Sequence, residues 1–97
     1  MAEQVTVMAR FHAKSGMHSE VRAILEKNLE PTRVEDGCVF YRLFETTDTG
    51  IFYFFELWES AAALQAHSKA AHIAIAREAL KDKLQTPGEV SLVTEVL

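Results

Sequence analysis

The segment Gly50-Ile51-Phe52-Tyr53-Phe54-Phe55-Glu56-Leu57-Trp58-Glu59-Ser60 carries five of the nine aromatic residues of the chain. A strand at the edge of a core alternates apolar and polar residues, because one face meets the interior and the other meets water. This segment is apolar at both parities. Phe52, Phe54, Glu56 and Trp58 point one way, and Ile51, Tyr53, Phe55 and Leu57 the other. Two different apolar surfaces must therefore cover it, and one of its faces carries a carboxylate among aromatic rings.

The rest of the chain decides what those surfaces are. Val5 to His12 alternates and reads as a first strand, followed by a turn at Lys14-Ser15-Gly16. A helix starts near His18, with Ser19 as its expected cap and Val21, Ile24, Leu25, Leu29 and Val34 as its apolar stripe. Pro31 must bend or interrupt its last turns, and Asp36-Gly37 ends it. Cys38 to Thr46 is a second strand, joined through a Thr47-Asp48-Thr49-Gly50 hairpin turn to the aromatic strand. Ser60 caps a helix running to His67, and a second helical run, Ala70 to Leu84, follows Ser68-Lys69. Beyond Pro87-Gly88, Glu89 to Leu97 alternates as a last strand.

The order β-α-β-β-α-β over residues 1–97 predicts a single α+β domain with a ferredoxin-like fold. Both helices are crossovers and lie on one face of a four-stranded antiparallel sheet. They cover Phe52, Phe54 and Trp58 but leave Tyr53, Phe55 and Leu57 open. Burying a side chain of that size is worth roughly 1.5–3 kcal/mol, so the open face predicts a partner, most economically a second copy packed sheet to sheet.

Glu56 needs a partner of its own, since a half-buried carboxylate without one is costly. If Thr46 faces Ile51, Tyr41 lies opposite Glu56; if Thr46 faces Phe52, Arg42 does. His67 follows on the inward stripe with Leu64 and Ala71, and the strand-to-helix turn carries it back toward Trp58. Imidazole, indole and carboxylate around one apolar space suggest a pocket with few, placed polar groups. A lone histidine on such a stripe is more often a packed residue than a catalyst.

Other chemistries fit less well. His67 and His72 are about 140° apart on a continuous helix and cannot chelate as an i,i+4 pair, unless the helix breaks near Ser68. His12 and His18 straddle a turn with no evident carboxylate or cysteine companions, so no metal is expected. The four glycines match no phosphate-binding loop, and Ser60 and Ser68 read as caps. A net charge of −4 argues against nucleic acid or an anionic membrane surface. With no spanning apolar run, no signal-peptide pattern and one cysteine, Cys38, the expected location is cytoplasmic.

The runs Glu35-Asp36-Gly37-Cys38-Val39-Phe40-Tyr41 and Phe55-Glu56-Leu57-Trp58-Glu59-Ser60, then Ala63-Leu64 and His67, resemble the antibiotic biosynthesis monooxygenase superfamily, including its YgiN-like quinol monooxygenases. The resemblance covers essentially the whole chain. It implies a dimeric α+β barrel of ferredoxin-like subunits, often with the last strand reaching the partner. Polyketide oxygenases of that superfamily place Asn, Trp and Tyr where this chain has Phe54, Trp58 and Leu64, so only Trp58 matches. The heme-degrading pattern is absent, whereas His67 and His72 match the histidine spacing of the quinol and isomerase branches. The implied activity is a monooxygenase that needs no cofactor and uses dioxygen on a quinol or phenol. His67 and Glu56 are its candidate catalytic residues; Trp58, Phe54, Tyr41, Leu64 and His72 are its candidate binding residues. A non-oxidative isomerase using the same pocket and a non-catalytic ligand-binding dimer are the alternatives.

Overall fold

The computed structural model describes residues 3–47 and 50–97. In chain order the elements are β1 (Val5–His12), α1 (His18–Glu26), α2 (Leu29–Arg33), β2 (Cys38–Glu45), β3 (Ile51–Trp58), α3 (Ala61–Ser68), α4 (Ala71–Leu80) and β4 (Glu89–Val93). The strands form one antiparallel sheet in the order β2-β3-β1-β4, the arrangement of a ferredoxin-like fold. The expected hairpin turn falls partly on Asp48 and Thr49, which lie outside the described residues.

β3 resolves its own puzzle. Phe52, Phe54, Glu56 and Trp58 are buried, while Ile51, Tyr53, Phe55 and Leu57 are only half-buried. The buried face joins Val7 and Ala9 of β1, Val21 and Leu25 of α1, Tyr41 of β2 and Leu80 of α4 in one core. The other face presents Tyr53, Phe55 and Leu57 beside Phe40 and Phe44, with Phe44 52% exposed. On this open side the Phe40 and Phe55 rings sit 5.0 Å apart, and the Arg42 guanidinium lies over Phe40.

The hairpin takes the first of its two registers. Thr46 N–H donates to the Ile51 carbonyl, and Tyr41 lies opposite Glu56. A bulge lies between Cys38 and Phe40: Cys38 pairs with Trp58 and Phe40 with Leu57. Cys38 and Tyr41 therefore share the inner face.

Several boundaries differ from the sequence reading. Met17, not Ser19, precedes the first turn of α1, and no side chain caps it. The helix splits into α1 and α2 ahead of Pro31, which has no N–H to continue the ladder. Ser60 does cap α3, its Oγ accepting from Ala63 N–H at 3.1 Å. Ser68 caps nothing that follows; its hydroxyl donates back to the Gln65 carbonyl within α3, and α4 starts after Ala70 without a side-chain cap. Ala71, expected on the inward stripe of His67, is exposed, because the helix axis changes at Lys69-Ala70. α4 ends at Leu80, not Leu84, with Asp82 at a positive φ of 71°. β4 pairs with β1 only through Val93, and Val96 and Leu97 are exposed beyond it.

One glycine governs how α3 sits. Gly37 has φ of 83°, and a Cβ there would fall 2.5 Å from the Ala63 Cβ. Only a residue without a side chain lets α3 rest against the entrance of β2. That close approach brings His67 to the residues just before β2.

Candidate active site

His67 projects from the last turn of α3 and is 7% exposed. Its Nδ1 lies 2.8 Å from Glu35 Oε2, in the turn between α2 and β2. His72, in the first turn of α4, brings its Nε2 within 3.1 Å of the same oxygen. The His72 nitrogen is also 3.0 Å from Thr32 Oγ1, and Thr32 hydrogen-bonds the Tyr41 hydroxyl. The break at Lys69-Ala70 makes this convergence possible: on one unbroken helix the two imidazoles diverge. The condition under which the pair could meet is thus the one realised. Among the described residues, Glu35, His67 and His72 are the group able to offer a cation three ligands, their donor atoms lying within 4.8 Å of one another. His12 stays on β1, and His18 pairs with Glu45 at the far end of the sheet.

A second polar pair lies beneath. Trp58 Nε1 donates to Glu56 Oε1 at 2.9 Å. Tyr41 stands opposite Glu56 as one register requires, yet the indole, two residues along the same strand, supplies the carboxylate's hydrogen bond. The His67 ring lies over Trp58 with centroids 4.6 Å apart, and Tyr41 stacks on Phe54 at 4.5 Å. Phe11 meets Phe54 edge-on.

These environments set the protonation states. Burial pushes the Glu56 carboxyl up, partly offset by the Trp58 hydrogen bond and the nearby His67, while the Glu35 charge adds to the rise. Burial and then the Glu56 charge raise the Tyr41 phenol far above its ordinary range, so it remains a neutral hydroxyl. Burial, followed by the Glu35 and Glu56 charges, raises the Cys38 thiol, which suits a structural residue rather than a nucleophile.

The Glu56 shift has a measurable sign. The folded chain holds this proton more tightly than the unfolded one. The resulting stabilisation is complete below the ordinary value of 4.5 and is lost as pH rises through the higher folded value. Glu56→Gln keeps an acceptor for the indole and carries no such equilibrium. Its melting temperature relative to wild type is expected to rise between about pH 4 and about pH 8. An unchanged difference across that interval contradicts the assignment of a burial-raised carboxyl.

A cavity of about 750 Å³ opens between the sheet, α4 and residues 81–88. Tyr41, Phe54, Glu56, Leu64 and His67 line it, with Lys14, Arg77 and Lys81 among its charged lining residues. Two of the expected binding residues are not in its wall. Trp58 is fully buried behind His67, and His72 reaches the site only through Glu35 and Thr32. Phe54 and Tyr41 therefore form the aromatic wall, and Trp58 supports His67 from behind. Glu35 and Thr32 were not among the expected site residues. Glu35 lay inside the family-like run, but its contact with His67 spans 32 positions and no local pattern signals it.

The family described as antibiotic biosynthesis monooxygenase matches residues 4–79. The chain belongs to that family. It is 36% identical over 93 residues to Rv0793 of Mycobacterium tuberculosis, a protein provisionally named as a monooxygenase, covering 96% of this chain and 92% of that one. The structure of Rv0793 superposes with a TM-score of 0.90, covering 97% of this chain and 96% of that chain at 34% identity. A solved antibiotic biosynthesis monooxygenase gives 0.87 at 28% identity, with 96% and 99% covered. PA3566 of Pseudomonas aeruginosa gives 0.90 at 24% identity over 100% of this chain and 98% of its own, a likeness of fold alone. Family membership carries the ferredoxin-like α+β architecture.

Proposed function

We propose that this family member is a cofactor-independent monooxygenase acting on a small hydroquinone or phenol, and that it works as a homodimer in the cytoplasm. The observation that carries the reading is the placement of His67: a nearly buried imidazole in the wall of an aromatic-lined cavity large enough for a substituted ring. Imidazole is the side chain whose ordinary titration lies nearest neutrality and is the usual carrier of a proton in such work. Phe54 and Tyr41 offer flat apolar contact to the ring, and Leu64 bounds it. Glu56 stands in the same wall as a second proton site.

The chemistry balances without a cofactor. A hydroquinone and one dioxygen give a hydroxyquinone and one water, the substrate supplying all the electrons. His67 takes the hydroxyl proton, and the electron-rich anion reduces dioxygen. One oxygen atom joins a ring carbon and the other leaves as water. The protein binds the ring, removes the proton and excludes solvent.

The open face of the sheet supports the dimer. Tyr53, Phe55, Leu57, Phe40 and Phe44 form an apolar surface that the helices of the same chain do not cover. Its occupant in this reading is the same face of a second copy. No described helix is long and apolar enough to cross a membrane.

The test is oxygen uptake with a panel of small hydroquinones, in air and under argon. The expected result is one dioxygen consumed per hydroxyquinone formed, one isotope-labelled oxygen atom in each product, and no product under argon. The mixed charge of the cavity wall, Lys14, Arg77 and Lys81 beside Glu78 and Asp82, favours a second reading, a non-oxidative isomerase of a small polar metabolite. Product formed equally well under argon from such a substrate supports that reading instead.

A further inference from the structure

Glu35 is the best-connected group of this site, although it does not line the cavity. One of its oxygens, Oε2, takes contacts from two imidazoles: His67 Nδ1 at 2.8 Å and His72 Nε2 at 3.1 Å. Both are hydrogen-bond lengths. Side-chain exposure rises outward through the cluster, from 9% for His67 to 17% for Glu35 and 24% for His72. The carboxylate is thus shielded from the cavity by His67 and gripped from its outer side by His72.

We propose that Glu35 is the positioning residue of the site, fixing His67 as the tautomer with hydrogen on Nδ1 and a bare Nε2 facing the cavity. A neutral imidazole carries one proton, and a carboxylate can only accept. An imidazole nitrogen 2.8 Å from an ionised Glu35 is therefore the protonated one. With Nδ1 committed, Nε2 is the nitrogen left to take a substrate proton, and the imidazolium that forms keeps its bond to a negative group. Trp58 supports the ring from behind and holds its plane, and a flip within that plane would forfeit the bond from Nδ1 to Glu35. His72, held also by Thr32, keeps the carboxylate from swinging away.

Chelation is the competing use of the same three residues. The 2.8 Å contact of His67 Nδ1 with Glu35 Oε2 is of hydrogen-bond length, and titration with zinc distinguishes the two uses.

The inference rests on the oxygenase reading only for its kinetic consequence, so two measurements separate them. The first uses the full chain labelled with nitrogen-15 histidine, read by imidazole correlation spectra at a pH where free histidine is neutral. His67 is identified as the signal lost in His67→Asn. It is expected to show a protonated Nδ1 and a bare Nε2 in wild type, and a populated Nε2–H form in Glu35→Ala. Should Glu35→Ala not fold, Glu35→Leu gives the same comparison, since its side chain accepts no hydrogen bond. A wild-type His67 protonated on Nε2, or a tautomer unchanged when Glu35 is replaced, overturns the proposal. So does one equivalent of zinc that moves His67 and His72 signals together, which makes the cluster a metal site. The second measurement takes whichever quinol wild type oxidises. Glu35→Gln is expected to lower kcat roughly 10- to 100-fold with KM within about twofold, and Glu35→Asp to restore part of the loss. An unchanged kcat in Glu35→Gln overturns the positioning role. If wild type oxidises no quinol, the oxygenase reading fails while the spectra still decide the role of Glu35.

Discussion

Replacing His67 by alanine is expected to lower kcat on a responsive quinol by roughly 10²–10⁴-fold, the range that a positioned proton carrier contributes. Binding of the ring should change far less, because Phe54, Tyr41 and Leu64 keep their places in the wall. The separation is visible in kcat and KM: a loss confined to kcat marks an interaction made in the transition state. The same substitution also leaves Trp58 uncovered and Glu35 without one of its two imidazoles. His67→Gln therefore accompanies it, refilling much of the volume without supplying a base. Both variants should be slow, with melting temperatures reported beside the rates. A normal kcat in a folded His67→Ala rejects the histidine as proton acceptor.

Phe55→Glu is expected to convert a dimer into single subunits. Phe55 sits in the middle of the open face, opposite Met8 on one side and Arg42 on the other, with Phe40 against its ring. A glutamate there removes an aromatic anchor from each copy and places an unpaired charge between two apolar sheets. A central anchor of this kind is worth about 2–4 kcal/mol, so the dissociation constant should rise by roughly 30- to 700-fold, and further because each copy loses one. Sedimentation velocity over a dilution series reads this directly. The buried face of β3 points the opposite way, so the variant's subunit core is predicted to remain. If wild type itself sediments as one subunit at micromolar concentration, the sheet-to-sheet dimer is wrong. Monomers of Phe55→Glu that retain full turnover would show that the cavity works within one chain.

The parts of this molecule that could be read from sequence are those with a short period. Alternation in β3 assigned every one of its side chains to the correct face, because a strand repeats every two residues. The hairpin reduced Glu56 to two candidate neighbours, and Tyr41 is the one opposite. What could not be read was that Trp58, two residues along the same strand, would provide the hydrogen bond. Two helical runs meeting at Ser68-Lys69 were legible, but not the turn of the axis between His67 and His72. Residues 61–80 contain no proline or glycine to announce it, and alanine-rich sequence supports a continuous helix just as well. Once the axis bends, two imidazoles that diverge on paper meet at Glu35. The end of β4 was overestimated for a related reason. Alternation persists to Leu97, but β1 offers hydrogen-bonding partners only as far as Val93.

The unpaired position at Val39 has a consequence for how this chain can vary. It shifts the phase of β2, so that Cys38 and Tyr41, an odd number of residues apart, lie on one side. Deleting Val39 would restore regular alternation, leaving Cys38 and Tyr41 two positions apart and still on the inner face, with Phe40 between them on the outer one. The strand can therefore lose one residue here without turning any side chain over, giving up only the local bend and added twist of a bulge. A second deletion would have no such slack and would exchange the faces of everything on one side of it.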